Sequence, residues 1–317
     1  MSKDSQLYLV TGGAGFIGCN LVQRLVALGK KVRVFDNFST GKRENLHNIH
    51  GKIELIEGDL RDLACVMEAT KKVKIIFHEA ALPSVFRSVI APNTTNEVNV
   101  TGTLNLLQAA RANGVKRLIY ASSSSVYGNS PKLPKDEEMA TNPISPYAVS
   151  KLAGEGYCQV FRHIHRLETV ILRYFNIFGP YQDPTSEYSG VIAKFINAFL
   201  DNGKLIVYGD GEQSRDFTYV DDVVEANLIA ASCSSDNSGE IFNVAAGKMI
   251  TLNRMIEILK AIFKQNPKVI YTDPRPGDVR HSLADVSKLR ERLNFVTKVS
   301  FEEGLKKTVK WYESQKG

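Results

Sequence analysis

L7-Y-L-V-T-G-G-A-G-F-I-G18 is a short apolar, β-rich run that breaks at once into glycines. Apolar Ile17, Leu21, Val22, Leu25 and Leu28 then recur at helical spacing, up to Gly29. K31-V-R-V-F-D36 follows as a second strand. Strand, glycine turn, helix and strand within about 30 residues form a βαβ unit and imply a parallel sheet.

The alternation continues downstream. Residues 53–57 read as a strand before Gly58-Asp59-Leu60, followed by a helix near 62–70 and a strand at 73–78. A helix is predicted over roughly 96–113 with a stop at Gly114, then a strand over 116–122. A Pro-rich loop at 129–146 precedes a helix over 147–166 and a strand from Thr169. This pattern predicts an α/β fold with a doubly wound parallel sheet, a Rossmann architecture. Past residue 180, Gly/Asp/Ser/Pro-rich loops separate helices near 190–202, 221–233, 251–264 and 300–314. Short strands are predicted at 205–208, 241–244 and 268–271. The expected organisation is a dinucleotide domain over 1–180 and a smaller mixed α/β substrate domain over 181–317, with some chain exchange between the two.

The chain has 317 residues, 43% hydrophobic and 23% charged, the balance of a globular protein. Its net charge of +6 is modest and its basic residues are scattered, which argues against a nucleic-acid stripe. Cys19, Cys65, Cys158 and Cys233 are far apart with no Cys-x-x-Cys, so no metal site is expected and the residues read as reduced core thiols. No signal-peptide pattern precedes the first strand, and no apolar run approaches a membrane span. A cytoplasmic location is expected.

Gly12, Gly15 and Gly18 form a G-x-x-G-x-x-G fingerprint between a strand and a helix. The first glycine allows a tight turn, the second lets backbone approach a pyrophosphate, and the third permits close helix–strand packing, with the helix N-terminus facing the anion. Asp36 ends the second strand, where a carboxylate accepts from adenosine ribose hydroxyls and repels a 2′-phosphate. The cofactor expected is therefore NAD, although Lys42 and Arg43 lie just beyond. Asp59 and Leu60, at the end of the third strand, suit the adenine edge.

In S145-P-Y-A-V-S-K151, Tyr147 and Lys151 stand four residues apart, on one face of a helix. A lysine ammonium beside a phenol favours the phenolate, so the sequence predicts a tyrosine able to act as a base near neutrality.

These segments, with H78-E-A-A81 and S122-S-S-S-V-Y-G128, resemble the extended short-chain dehydrogenase/reductase family over nearly the whole chain. R173-Y-F-N-I-F-G179, Y208-G-D-G211 and S214-R-D-F-T-Y-V-D-D222 look like its nucleotide-sugar branch, especially the UDP-hexose 4-epimerases. R275-P-G-D-V-R-H-S-L-A-D-V-S-K288 is similar to the subgroup acting on UDP-N-acetylglucosamine and UDP-N-acetylgalactosamine. The resemblance implies a 4-epimerase that uses NAD on a UDP-sugar. Its catalytic trio would be Tyr147, Lys151 and Ser123, with Ser124 the alternative among four consecutive serines.

By the same resemblance Phe16, Ile17, Asn37, Ala80, Ala81, Asn99, Ser122 and Tyr174 would join the dinucleotide set. Asn176 and Arg215 would contact the diphosphate, with Arg275 helping and Asp278 on the uridine ribose. Tyr208 would flank the uracil, while Ser84 and Val191 would complete the substrate set and Arg87 is a further candidate. Ser282, four residues after Asp278, would leave room beside C2 for an acetamido group. Pro83 departs from relatives that often carry Lys or Gly there. The family's 4,6-dehydratases carry an acidic pair after the active-site Ser or Thr; here Ser124 and Ser125 follow. UDP-glucuronate 4-epimerases and decarboxylases remain as alternatives, as does a non-catalytic NAD-binding regulator. The helices near 96–113 and 147–166 are expected, by resemblance, to pair with a second subunit's as a four-helix bundle.

Overall fold

A computed structural model describes residues 6–183, 190–274 and 279–316. The first half of the chain runs β1 (Leu7–Thr11), α1 (Phe16–Ala27), β2 (Lys31–Asp36), β3 (Ile53–Glu57), α2 (Leu63–Ala69), β4 (Val73–His78), α3 (Val85–Ile90), α4 (Pro92–Asn96), α5 (Gly102–Ala112), β5 (Arg117–Ser123), α6 (Pro146–His165) and β6 (Glu168–Tyr174). The second half runs β7 (Ile177–Phe178), α7 (Val191–Leu200), β8 (Leu205–Tyr208), β9 (Ser214–Asp216), β10 (Thr218–Tyr219), α8 (Val220–Ser232), β11 (Ile241–Val244), β12 (Met249–Thr251), α9 (Leu252–Phe263), β13 (Val269–Thr272), α10 (Ser287–Leu293) and α11 (Phe301–Lys316).

Seven strands form one sheet in the order β11-β6-β5-β4-β1-β2-β3, every neighbouring pair parallel. Strand order reverses between β1 and β4, so a crevice opens at the carboxyl ends of those strands. Alternate strand residues feed opposite faces. Val10, Val34, Ile119 and Leu172 pack with α1 and α8, whereas Leu9, Ile76, Leu118 and Ile171 pack with α2, α5 and α6. The predicted α/β fold with a doubly wound sheet is therefore present.

The strand at 241–244 and the helix before it return to this sheet: β11 pairs with β6, and Val223, Val224 and Ala226 of α8 lie in its core. A separate apolar cluster joins α7, α9 and α11 around Phe195, Phe199, Met255, Leu259 and Leu305. Several elements differ from the sequence-based expectation, among them the short strands β7, β9, β10 and β12 and helix α10, which it does not contain. The short helix α3 carries no periodic signal, and Ser84 starts it by accepting Arg87 N–H at 3.2 Å. The helix expected from 96 begins at Pro92 and passes through a π turn at Glu97–Thr101, whose extra residue per turn no side-chain periodicity announces.

Helix α6 follows its sequence closely. Ser145 is the N-cap, its Oγ accepting Ala148 N–H at 3.1 Å, and Pro146 occupies the first turn. The helix lies close to β5 because Gly154 faces the buried Tyr120; a Cβ there would sit 2.1 Å from the Tyr120 hydroxyl oxygen. Gly154→Ala is expected to lower stability by about 1–3 kcal/mol through overpacking, measured as a fall in the urea midpoint at unchanged slope.

Candidate active site

The turn after β1 is shaped by what a side chain would strike. Gly12 has φ +67°, and a Cβ on it would lie 2.7 Å from Ala80 N and Cα. On Gly18 a Cβ would lie 2.1 Å from Gly12 O, so only hydrogen there lets α1 start so near the strand. Gly15 caps α1 in extended geometry, which aims the helix N-terminus at a cavity of about 1110 Å³. Gly12, Gly15, Phe16, Ile17, Gly18, Asp36, Asn37, Asp59, Leu60, Ala80, Ala81, Ser84, Arg87, Ser122, Tyr147, Lys151 and Tyr174 all line it.

The adenosine end fits the expected group. Asp36 accepts Ala14 N–H and Phe38 N–H, each at 2.9 Å and on different carboxylate oxygens. Each oxygen retains a second lone pair for a ribose hydroxyl. Burial pushes this carboxyl up, against the pull of those backbone donors. Asp59 takes Arg61 on both oxygens at 3.0 and 2.8 Å and Asn37 at 2.8 Å; the Arg61 guanidinium holds it well below the usual carboxylate range. Of the two nearby cations, Lys42 pairs with Asp183 at 2.8 Å, while Arg43 pairs with Glu57 and stacks over Phe38 at 3.9 Å.

Asn99 sits one layer behind the wall. Its side-chain amide accepts Leu82 N–H at 2.8 Å and donates to Leu82 O and Ser150 Oγ at 3.2 and 3.0 Å. It thus pins the 79–84 loop to α6, and it lies within the π turn.

At the cavity floor Lys151 is 5% exposed and donates to Ala121 O at 2.8 Å. Its Nζ lies 5.9 Å from the Tyr147 ring centroid. Among the four serines, Ser123 is the one that pulls on the Tyr147 phenol, while Ser122 donates to Glu155. Burial pushes Tyr147 up and Ser123 pulls it down; burial draws Lys151 down to about 8, with Glu79 and Glu155 opposing. The phenol lowering expected from helix spacing is therefore absent in this state, because desolvation outweighs any pull of the ammonium.

A second cavity of about 240 Å³ is lined by Asn176, Val191 and Arg215, with Gln182 and Gly190 shared between both walls. Arg215 donates to Ser214 O and Arg280 O at 3.0 and 3.2 Å, and Asn176 to Asp216 O at 3.2 Å. Ser282 hangs on the same strand, its N–H donating to Ser214 O at 3.1 Å. Ser282 and Tyr208, the latter at the end of β8, lie outside the walls of both cavities. Arg275 and Asp278 fall outside the described residues. Sequence reasoning missed Gln182, Gln213 and the α11 residues Trp311 and Tyr312, which also line the cavities. The aromatic pair on an amphipathic helix reads as core, yet Tyr312 donates to Gln182 O and Trp311 packs 5.0 Å from the Tyr181 ring. Among the described residues no cluster of three His, Cys, Asp or Glu could hold a metal ion, and no helix is long and apolar enough to cross a membrane.

The sequence model of the NAD dependent epimerase/dehydratase family matches residues 8–245. The UDP-N-acetylglucosamine 4-epimerase of Methanobrevibacter ruminantium, solved in complex with UDP-N-acetylmuramic acid, is 44% identical. It superposes with a TM-score of 0.94 over 99% of both chains. The UDP-glucose 4-epimerase of Thermus thermophilus, solved in complex with NAD, is 38% identical over 97% of this chain and 99% of that one, with a TM-score of 0.88. The UDP-glucose 4-epimerase of Mycolicibacterium smegmatis is 39% identical over 311 residues, 97% of this chain and 98% of its own. Likeness of this extent runs through every element that shapes the two cavities, and the chain belongs to the NAD dependent epimerase/dehydratase family.

Proposed function

We propose that this protein, a NAD-dependent UDP-sugar 4-epimerase, interconverts UDP-N-acetylglucosamine and UDP-N-acetylgalactosamine, and also accepts UDP-glucose and UDP-galactose. The observation that carries this reading is the position of Tyr147. Its phenol stands with Lys151 on the floor of a dinucleotide-sized cavity, next to a smaller cavity that contains Arg215, and Ser123 acts on it from the end of β5. Guanidinium forks suit phosphate oxygens, so a diphosphate near Arg215 and Asn176 would direct its sugar towards Tyr147.

NAD, when bound, supplies a reversible hydride acceptor for the sugar C4. Tyr147 then serves as the base that takes the O4 proton and the acid that returns it, with Ser123 assisting at the phenol. Lys151, which keeps its proton below about 8, supplies the positive charge that favours phenolate beside the reacting oxygen. Hydride returned to the opposite face of a turned 4-keto sugar would invert C4, and Gly12, Gly15, Asp36 and Lys151 in the cavity wall would hold the cofactor that supplies it. Ser124 and Ser125 stand where 4,6-dehydratases carry acids, which supports epimerisation over water loss. The similarity to the UDP-N-acetylglucosamine enzyme and the small side chain of Ser282 support the acetamido substrates. A second reading, action on UDP-glucuronate, is favoured by Arg87 in the cavity wall, a cation suited to a C6 carboxylate. It is also favoured by 35% identity to the UDP-glucuronate 4-epimerase of Thermodesulfobacterium geofontis.

The homodimer belongs to the same proposal. Val149, Val160 and Ile164 of α6 and Phe86, Val89 and Ile90 of α3 are exposed apolar residues on two helices in contact, a patch suited to a second copy.

Incubation with separate UDP-hexoses, UDP-N-acetylhexosamines and UDP-glucuronate, with products resolved by chromatography, tests the substrate assignment; no C4 epimer from either acetamido sugar would sink it. Tyr147→Phe is expected to cut kcat at least about 100-fold with the fold intact. Ser282→Tyr is expected to abolish turnover of the acetamido sugars and spare UDP-glucose; equal retention of both would remove Ser282 from specificity. Light scattering should give twice the chain mass for the native protein and one chain mass for a Val160→Glu, Ile164→Glu variant.

A further inference from the structure

The floor of the larger cavity holds a carboxyl group to which the proton chemistry of Tyr147 assigns no role. Glu79 directly follows β4, is half-buried, and lines the cavity together with Tyr147, Lys151 and Tyr174. Strand register fixes its level. His78 pairs with Thr11 and with Tyr120, and the residue after Tyr120 is Ala121, whose carbonyl takes Lys151 Nζ at 2.8 Å. Glu79 N–H donates to Thr11 O at 3.2 Å, which keeps the chain in step one residue past the strand. Tyr174 is the partner of Ser123 on β5. Glu79 Oε1 accepts the Tyr174 O–H at 2.9 Å, and the Tyr174 oxygen in turn accepts Asn227 Nδ2–H at 2.7 Å. Asn227 is anchored on α8, where the same amide donates to Val223 O at 2.9 Å. The string of donors runs one way, from α8 through β6, and it ends on an acceptor in the cavity wall.

Two walls meet at this floor. Phe77, two residues before Glu79, packs with Tyr174 on the sheet face that α1 and α8 cover, so strand alternation turns Glu79 to that side. Tyr147 and Lys151 come from α6 on the other face. A ring that takes hydride from the sugar C4 must lie beside the carbon whose O4 proton Tyr147 removes. The pyridine of a dinucleotide whose adenosine meets Asp36 therefore ends between these walls. The polar group on that ring is a carboxamide, with two N–H donors and one carbonyl acceptor. Its donors need an acceptor, and the neighbouring groups are committed. The Ser122 hydroxyl donates to Glu155, and His78 bridges Thr11 Oγ1 and Thr103 Oγ1 at 2.8 and 2.9 Å. Tyr174 gives its proton to Glu79 and receives one from Asn227. An ionised Glu79 accepts through both oxygens, with lone pairs beyond the one that Tyr174 occupies.

We propose that Glu79 is a specificity-determining residue for the cofactor: its carboxylate, fixed by Tyr174 and Asn227, accepts an N–H of the nicotinamide carboxamide and turns away a dinucleotide that carries a carboxylate there. This rests on the reading of Tyr147 as the proton-transfer group, which sets the end of the cavity that the ring occupies. Deamido-NAD differs from NAD in that one group. It loses the bond to Glu79 and brings a like charge against it, away from bulk water. Burial pushes Glu79 up to about 7, against the pull of the Tyr174 bond and of Lys151, so the group is charged above that value.

The test equilibrates the full-length protein, at about pH 8, with mixtures of NAD, deamido-NAD and ADP-ribose, and resolves the bound nucleotides by chromatography. ADP-ribose ends before the ring and serves as the reference. The native protein is expected to hold deamido-NAD at least about 10-fold less well than NAD. In Glu79→Gln, deamido-NAD is expected to gain at least about 10-fold on ADP-ribose. Glu79→Asp, still an acid, is expected to keep the native ratio within about 3-fold. Glu79→Met, which brings no buried amide, should give the same gain if the Gln variant melts early. A ratio of deamido-NAD to ADP-ribose that stays at the native value in a neutral variant, measured on cooperatively melting protein, overturns the proposal. Equal binding of NAD and deamido-NAD by the native protein overturns it too. A merely structural role for Glu79 would weaken all three nucleotides together and leave their ratios unchanged, which is the same refutation. Binding is read without turnover, so a native protein inactive on every UDP-sugar would remove the functional reading and leave this result standing.

Discussion

The structure is organised by the burial of one charge. Lys151 is almost wholly removed from solvent on a helix that lies against a parallel sheet. An isolated ammonium in such a place would cost several kcal/mol, and proteins keep it only where dipoles and counter-charges surround it. The carbonyl of Ala121 meets it because β5 ends beside α6, and α6 comes that near because Gly154 presents no side chain to Tyr120. The Glu155–Arg173 pair, 3% exposed on both sides, ties the same helix to β6 one turn further on. Removing one partner of such a buried pair costs about 3–5 kcal/mol, mostly from the charge left behind. Packing and electrostatics are thus one problem in this region: the contacts that hold α6 also set the field around Tyr147.

The second region has a different anchor. Asp216 is fully buried, and its carboxylate accepts Ala246 N–H, Gly247 N–H and Ala284 N–H at 3.0, 3.1 and 3.1 Å. Burial pushes the group up to about 6, and those three donors are what offset the cost. Through this one side chain β9, the 245–248 turn and the strap carrying Ser282 are fixed relative to each other. Arg215 precedes Asp216, so its reach into the smaller cavity is set by the same anchor.

Those parts of the fold and site that rest on local chemistry were legible in the sequence. The glycine fingerprint reads directly as a turn where side chains cannot fit, and Ser145-Pro146 reads as a helix start. Tyr147 and Lys151 share a face because helical spacing demands it. Other features depend on distant partners and leave no local trace. The π turn that contains Asn99 is invisible to a 3.6-residue pattern. Strand β11 joins the main sheet because β6 offers an open edge, and nothing within residues 241–244 says so. Glu79 reads as one more polar residue after a strand until Tyr174 and Asn227 arrive from elsewhere. The direction of the Tyr147 shift belongs to the same class, since spacing places the lysine while tertiary burial decides the balance.

A division of labour follows from where the two kinds of residue sit. Ser123, Glu79 and Tyr174 lie at or just past the ends of strands in the seven-stranded sheet, and Tyr147 and Lys151 lie on a helix packed against it. Such positions resist displacement, which proton transfer over hydrogen-bond distances requires. Arg215, Ser282 and the residues around Gln182 sit on short strands and loops outside that sheet, where a change of side chain disturbs little else. Side chains around the smaller cavity can therefore change while the surroundings of Tyr147 stay fixed, because the Asp216 anchor holds the strap carrying Ser282 by a backbone N–H group. Backbone donors are indifferent to the side chains that the strap carries.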